Sequence, residues 1–168
     1  MARLTANFFK QDALVLAPLL LGKKLVRVSD NGVKNEYVIT EVEIYRGEED
    51  LACHASKGRT QRTQVMYNSG GVLYVYLVYG MYWMLNIVTG EENNPQAILI
   101  RALEGTTGPG RVGKLLMLDK SFNTENLSDS KRIWLEDRPI IDTYKTSIRI
   151  GIDYASEEWR LKPWRFYY

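Results

Sequence analysis

Two runs of β-branched and aromatic residues, 72–78 and 81–88, are separated by only Tyr79 and Gly80. Runs of this composition are typical of β-strands. A two-residue connection joins neighbouring antiparallel strands, whereas parallel strands need a crossover of a dozen or more residues. The sequence therefore predicts a β-hairpin with a very tight turn, and the rest of the fold must accommodate this antiparallel pair.

Other segments share this preference for extended structure. The runs 24–29 and 36–45 alternate apolar and polar residues, and Asp30-Asn31-Gly32 between them predicts a second hairpin. Further strands are predicted at 97–103 and 147–152, and helices at 11–21 and 110–118. Few helices lie between consecutive strands, so the pattern favours a mixed, mainly antiparallel α+β fold.

The chain length predicts one domain, residues 1–168, large enough to bury a core without disulfides or a structural metal. Cys53 is the only cysteine, which excludes an internal disulfide. The apolar run 13–21 contains Pro18, is too short to span a bilayer and has no small-residue cleavage site. We therefore expect a protein that stays inside the cell and does not bind a membrane. We also expect a monomer.

The strand predicted at 36–45 places two carboxylates beside an aromatic ring. Side chains of a strand alternate between faces, so one face should carry Val38, Thr40, Val42 and Ile44. The other face should carry Ile39, Glu41, Glu43 and Tyr45. A carboxylate beside a tyrosine on a rigid strand is suited to general-base chemistry next to a stacking platform. A solvent-exposed edge-strand glutamate is the alternative.

His54 is the only histidine. A single histidine commonly satisfies a local hydrogen bond, although it can also offer a stacking surface. One histidine and one cysteine at adjacent positions cannot supply the three or four ligands of a zinc site, and the zinc-deaminase motif is missing. We expect no metal and no cofactor.

The aromatic hairpin contains one ring with no obvious core to enter. Tyr74, Tyr82 and Trp83 are expected to pack across strands. Tyr79 lies at the predicted tip and should project into water unless a partner receives it. Insertion between base pairs is one use of such a ring, and the amide of Asn86 on the returning strand could read the edge of a base.

Basic residues form three groups that together indicate an anionic partner, although each alone is ordinary surface. These groups are Lys57, Arg59 and Arg62, then Arg111 and Lys114, and finally Arg160, Lys162 and Arg165. The second group lies in 108–114, which matches the G-x-x-x-x-G-K spacing of a phosphate loop. Leu115 stands where such a loop needs a hydroxyl for magnesium, so this segment favours a seat for a DNA phosphate over nucleotide hydrolysis.

Several segments, in order from about Leu4 to Tyr168, resemble the alkyladenine (3-methyladenine) DNA glycosylase family. They are Ile39–Tyr45, Glu49–Ala55, Tyr74–Tyr82, Asn86, Leu99–Glu104, Gly108–Gly110 and Lys162–Tyr167. The resemblance implies a monofunctional glycosylase that acts on damaged purines in double-stranded DNA without a cofactor. It also implies a curved sheet with surrounding helices and a protruding β-hairpin that enters DNA.

The resemblance further implies a role for individual residues. Glu43 would activate water, which Arg101 and the backbone carbonyl of Ile150 would help to hold. Tyr45 would stack on one face of a flipped base. His54 and Tyr76 would lie on its other face, Asn86 would disfavour guanine, and Tyr79 would intercalate. The basic groups described above, and not the resemblance, supply the predicted DNA-backbone contacts, which are Arg59, Arg62, Arg111 and Lys114.

The chain departs from the family between Glu104 and Gly108, where only three residues replace a much longer segment. The resemblance therefore predicts no DNA contact from that segment here. Glu41 shares a predicted face with Glu43, and only the resemblance chooses between them as the base. A non-catalytic nucleic-acid-binding module that stacks bases on the same rings is the competing interpretation.

Overall fold

The computed structural model describes all residues, 1–168. The helices are α1 (Ala6–Phe9), α2 (Ala13–Leu20), α3 (Pro109–Leu115) and α4 (Glu157–Arg160). The strands are β1 (Lys24–Val28), β2 (Lys34–Arg46), β3 (Leu73–Val78), β4 (Tyr82–Val88), β5 (Gln96–Leu103), β6 (Thr106–Thr107), β7 (Ile133–Glu136), β8 (Lys145–Ser147) and β9 (Arg165–Tyr167). Three short 3-10 helices cover His54–Lys57, Thr63–Tyr67 and Lys120–Phe122.

All nine strands form one antiparallel sheet that curls into a half-barrel, with the main order β3-β4-β5-β2-β1-β7. Strand β6 pairs with β5, and β9 pairs with both β2 and β8. The predicted α+β fold with a mainly antiparallel curved sheet is confirmed. No helix has the length and the apolar character that crossing a membrane requires.

The hairpin of β3 and β4 is confirmed as the sequence predicts. Its strands pair from Leu73 opposite Ile87 to Val78 opposite Tyr82. The Met81 N–H donates to the Val78 carbonyl at 3.1 Å. Tyr79 and Gly80 have φ of 54° and 64°, and positive φ at both positions matches the twist of tightly connected antiparallel strands.

The two faces of the sheet serve different purposes because side chains alternate along each strand. On one face, α2 and α3 close a core of 26 buried residues that includes Leu73, Leu85 and Ile98. Tyr74, which follows Leu73 in the chain, points to the opposite face. There Tyr74 and Val88 belong to a smaller cluster of buried residues that also includes Ala55 and Val65 of the 3-10 helices. The open part of this second face holds the cavity described below.

The central strand β2 departs from regular alternation. Ile39 pairs with Leu103 and Glu41 with Ala102, but Val42 pairs with Ile100. Thr40 on β2 and Arg101 on β5 are therefore the extra, unpaired residues of two successive β-bulges, one on each strand. Such bulges change the direction in which nearby side chains point. The prediction that Ile39 shares a face with Glu43 is wrong, because Ile39 packs in the main core together with Val42 and Ile44.

Other predicted boundaries also differ from the structure. The helix predicted at 11–21 spans Ala13–Leu20, and the one predicted at 110–118 spans Pro109–Leu115. The extended segment predicted at 147–152 is wrong beyond Ser147, where β8 ends. The remaining residues form a loop that contributes to the cavity.

Candidate active site

A cavity of about 260 Å³ opens on the sheet face opposite α2 and α3. Alternate residues of β3, β4 and β5 supply one side, because period-2 spacing turns them to the same face. Loops around 52–54 and 150–154 supply the other. Seven predicted site residues line this cavity: Tyr45, His54, Tyr76, Tyr79, Asn86, Arg101 and Ile150.

Glu43 lies directly behind the cavity wall with a fully buried side chain. Its Oε1 accepts hydrogen bonds from the Tyr45 hydroxyl and from Arg101 Nη1, both at 3.2 Å. Its Oε2 accepts the backbone N–H of Ile150 at 2.6 Å. The carboxylate does not itself line the cavity, but all three of its partners do. The alternative of a solvent-exposed edge-strand glutamate is therefore excluded.

Burial raises the pKa of Glu43, while the charge of Arg101 and the hydrogen bonds from Ile150 and Tyr45 oppose that rise. Burial also raises the pKa of Tyr45 well above its ordinary value, and the nearby charge of Glu43 adds to this. Tyr45 therefore remains a hydrogen-bond donor to Glu43 across the physiological range. A carboxylate with a raised pKa is a stronger base than an exposed one.

The neighbouring carboxylate, Glu41, has different partners. Its Oε1 accepts from Arg101 Nε and from Arg165 Nη1, each at 3.2 Å. Two guanidinium groups thus hold Glu41, and it does not line the cavity. Because Arg101 bridges the two acids, Glu41 fixes the guanidinium that faces Glu43.

The opposite wall is aromatic. His54 Nδ1 lies 2.8 Å from the Tyr74 hydroxyl, and the His54 ring meets Tyr76 with a centroid separation of 4.8 Å. Burial, together with the charges of Arg62 and Lys57, lowers the pKa of His54 to about 4. The imidazole is therefore neutral at physiological pH. Asn86 is buried beside this wall and donates to the Tyr74 carbonyl at 3.1 Å.

A buried ion pair, which the sequence analysis missed, supports the site from below. The side chains of Asp50 and Arg149 have no solvent exposure and form two hydrogen bonds, at 2.7 and 3.0 Å. The guanidinium also lies 5.0 Å from the ring centroids of both Tyr45 and Trp164. Arg149 precedes Ile150, so this pair anchors the backbone amide that binds Glu43. Separation by 99 residues leaves no local sequence signal for it.

The predicted DNA-contacting residues all lie at the surface. Tyr79 is 87% exposed at the hairpin tip. Arg62 lies over the Tyr76 ring, with 5.1 Å from its guanidinium carbon to the ring centroid. Arg59 stacks on a different ring, Tyr67, and donates to Asn93 at 2.7 Å, while Arg111 and Lys114 lie on α3.

The glycines that resemble a phosphate loop have a packing explanation. A Cβ at Gly113 would come within 2.0 Å of the Trp83 carbonyl oxygen, and one at Gly110 within 2.8 Å of the Tyr82 ring. Only residues without side chains allow α3 to approach β4 so closely. The spacing thus follows from helix-to-strand packing.

Comparison with known proteins shows which family the chain belongs to. A family model described as methylpurine-DNA glycosylase matches residues 7–107 and 104–168. The chain belongs to this family. The methylpurine-DNA glycosylases are enzymes that act on DNA, so the chain is a DNA N-glycosylase, a hydrolase of N-glycosyl bonds. This assignment decides against a non-catalytic nucleic-acid-binding module and against a phosphate-loop enzyme.

Relatives match over nearly the whole chain. A protein of Borreliella afzelii (strain PKo), provisionally named 3-methyladenine DNA glycosylase, is 45% identical over 175 residues, covering 95% of this chain and 92% of that one. A protein of Desulfitobacterium hafniense (strain Y51) with the same name is 42% identical over 195 residues, covering 99% and 95%. A third, of Legionella pneumophila (strain Corby), is 42% identical over 176 residues, covering 99% and 94%.

The glycosylase relatives carry insertions, because their alignments are longer than the 168 residues of this chain. The two segments of the family match meet at 104–107. Here β5 turns directly into β6, with Leu103 opposite Thr106. The short connection noted in the sequence is thus a tight turn beside Arg101, which leaves the cavity walls in place.

Proposed function

We propose that this glycosylase excises alkylated or deaminated purines, of the 3-methyladenine, hypoxanthine and etheno-adenine type, from double-stranded DNA. The damaged nucleotide would be flipped out of the helix into the cavity. The bond from base to sugar would then be hydrolysed, without a lyase step, at the start of base excision repair. The observation that carries this proposal is a buried carboxylate, Glu43, held behind a cavity with aromatic walls by three groups that line it.

Glu43 is the proposed general base. As the glycosidic bond breaks, positive charge develops on the sugar, and a nearby carboxylate can both stabilise that charge and deprotonate the attacking water. Arg101 and Ile150 already lie within hydrogen-bond range of the carboxylate. They are therefore well placed to position that water, Arg101 through its guanidinium and Ile150 through its carbonyl.

One carboxylate suffices for a cationic lesion. Inverting glycosidases use a second acid to protonate the leaving group. A 3-methyladenine nucleotide in DNA is already positively charged, so its base leaves without that help. This agrees with a cavity in which Glu43 and Glu41 share Arg101 and in which the single histidine is neutral.

The aromatic walls are the proposed base-binding surfaces, with Tyr45 on one side and His54 and Tyr76 on the other. A neutral His54 lets a cationic purine enter without repulsion, and aromatic faces attract such a cation by about 1 kcal/mol each. Asn86 is proposed to exclude guanine by its position against the base edge. Two properties of the lesion would then select it. Its weak pairing in the duplex makes flipping easier, and the positive charge of its ring is attracted by the aromatic walls of the cavity.

The hairpin tip is the proposed wedge. Tyr79 projects into solvent at the edge of the cavity that it helps to line, so its side chain would fill the gap in the duplex beside the flipped base. Arg59, Arg62, Arg111 and Lys114 would contact the phosphate backbone. We further propose that the protein acts as a monomer on DNA inside the cell, without membrane association.

The experiment is a panel of duplexes that each carry one hypoxanthine, one etheno-adenine or no lesion, together with methylated DNA. Enzyme is added, abasic sites are cleaved with alkali, and released bases are identified by chromatography. We expect release of at least 3-methyladenine by the wild type and none from the undamaged duplex. Failure to release any damaged purine would overturn the proposal.

A further inference from the structure

Tyr154 has no part in the chemistry proposed above, yet it lines the same cavity as Tyr45 and Tyr76. The residue is 70% exposed. A ring that both lines a cavity and faces solvent lies at the cavity mouth. This position makes Tyr154 a candidate for contact with any base that enters.

The hydroxyl of Tyr154 ties two loops together. It donates a 3.0 Å hydrogen bond to the backbone carbonyl of Ala52, a residue 102 positions away that also lines the cavity. Ala52 lies in the loop that leads from β2 to His54. The bond therefore joins the loop that carries Ile150 to the loop that carries one aromatic wall.

The backbone on both sides of Tyr154 is anchored. Ile152 and Ala155 are buried and pack with Ala52 in a small apolar cluster, against Tyr45 and Trp159. The Ala155 N–H also donates to the Ile152 carbonyl at 3.0 Å. Tyr154 is thus held by its neighbours and by its own hydroxyl, unlike a freely rotating surface side chain.

Tyr154 also lies near both aromatic walls. Ile152 and Ala155, on either side of it in the chain, pack against Tyr45. Ala52, which accepts its hydrogen bond, lies two residues before His54. Tyr154 therefore borders the same cavity as Tyr45, His54 and Tyr76.

We propose that Tyr154 is a specificity-determining residue that closes the mouth of the base slot and limits the size of the base the slot accepts. This inference rests on the proposed function. A purine with an additional fused ring, such as etheno-adenine, needs space that the phenol occupies. Methylated purines add only one carbon and need less.

The test measures single-turnover release of etheno-adenine from an oligonucleotide duplex and of 3-methyladenine from methylated duplex DNA. For Tyr154→Ala, we expect the ratio of the etheno-adenine rate to the 3-methyladenine rate to rise about tenfold, the scale on which a pocket discriminates small apolar groups. Tyr154→Phe keeps the ring but loses the bond to Ala52, so its ratio should rise less. Tyr168→Ala is the matched control, because Tyr168 is a 48% exposed tyrosine that does not line the cavity.

An unchanged ratio in Tyr154→Ala, or no etheno-adenine release by either protein, would overturn this inference. If Tyr154→Ala fails to fold, as judged by circular dichroism, Tyr154→Leu carries the same expectation and the same contrary result. Release of 3-methyladenine by the wild type keeps the two proposals separate. Without that release the proposed function fails, whereas wild-type release with an unmoved ratio contradicts only the role of Tyr154.

Discussion

At the scale of single residues, the proposed chemistry depends on one carboxylate, Glu43, which is fully buried. Glu43 and Tyr45 share a face of β2 because they are two residues apart on a strand. The sequence alone could place them together. It could not show that Arg101 and Ile150, which are distant in the chain, complete the shell around Glu43, because those contacts come from a strand bulge and a loop.

The pKa of Glu43 makes a prediction about pH. A general base must be ionised, and burial raises the pKa of this carboxyl above its ordinary value of 4.5. Single-turnover rates should therefore fall, as pH decreases, with a midpoint above 4.5. His54 titrates lower, at about 4, and the raised pKa of Tyr45 keeps that phenol neutral.

Arg101→Met should move this midpoint to higher pH, because the positive charge that favours ionised Glu43 is removed. A midpoint that stays in place in the variant would show that another group limits the rate. The measurement is a pH profile of single-turnover excision for both proteins.

Tyr79 makes a second prediction at this scale. Tyr79→Ser removes the exposed ring but leaves the stacking residues Tyr45, His54 and Tyr76, so we expect weaker flipping of a lesion and little change in folding stability. Fluorescence of a base analogue placed at the lesion reports unstacking directly. The control is Tyr168→Ala, and equal fluorescence change in wild type and Tyr79→Ser would rule out the wedge role.

At the scale of elements, the best-predicted parts are those with local signals. The hairpin of β3 and β4 follows from its two-residue turn. Strands β7 and β9 have only four and three residues. They pair with β1 and β2, which are distant in the sequence, so the local sequence does not predict them. The segment after Ser147 reads as extended, but Ile150 donates its N–H to Glu43 and has no strand partner.

The Asp50–Arg149 pair connects two of the loops that build the cavity. Asp50→Ala would leave a fully buried guanidinium without its counter-charge, and such a loss costs about 3–5 kcal/mol of unfolding free energy. Urea denaturation should show a correspondingly lower midpoint. Asp50→Asn keeps the shape and acceptor oxygen and should be milder. A midpoint for Asp50→Ala equal to that of the wild type would mean that the pair does not support the fold.

At the scale of the whole molecule, the two faces of the curved sheet have different surroundings. One face packs on α2 and α3 to form the main core, and the other face is free to carry the cavity. The formal net charge of +2 is small, so DNA binding must depend on where the cations lie. A local cluster can steer a duplex even when the overall charge is modest.

Salt dependence tests this arrangement. Each phosphate contact contributes about 0.9 to the slope of log affinity against log salt for duplex DNA. We expect Arg62→Ala and Lys114→Ala each to reduce the slope by about one. Lys34→Ala, at the opposite end of β2 from Tyr45, should leave it unchanged. Equal slopes for all four proteins would show that DNA binds elsewhere.

The most direct test of the central claim is the single-turnover rate of 3-methyladenine release at saturating enzyme for the wild type, Glu43→Gln and Glu41→Gln. Glutamine keeps an oxygen for the Ile150 N–H but cannot accept a proton from water. The account predicts that Glu43→Gln lowers the rate by about 10²–10⁴-fold while DNA affinity is retained, and that Glu41→Gln stays much closer to the wild type. A Glu43→Gln enzyme that excises as fast as the wild type, or a loss confined to Glu41→Gln, would contradict it.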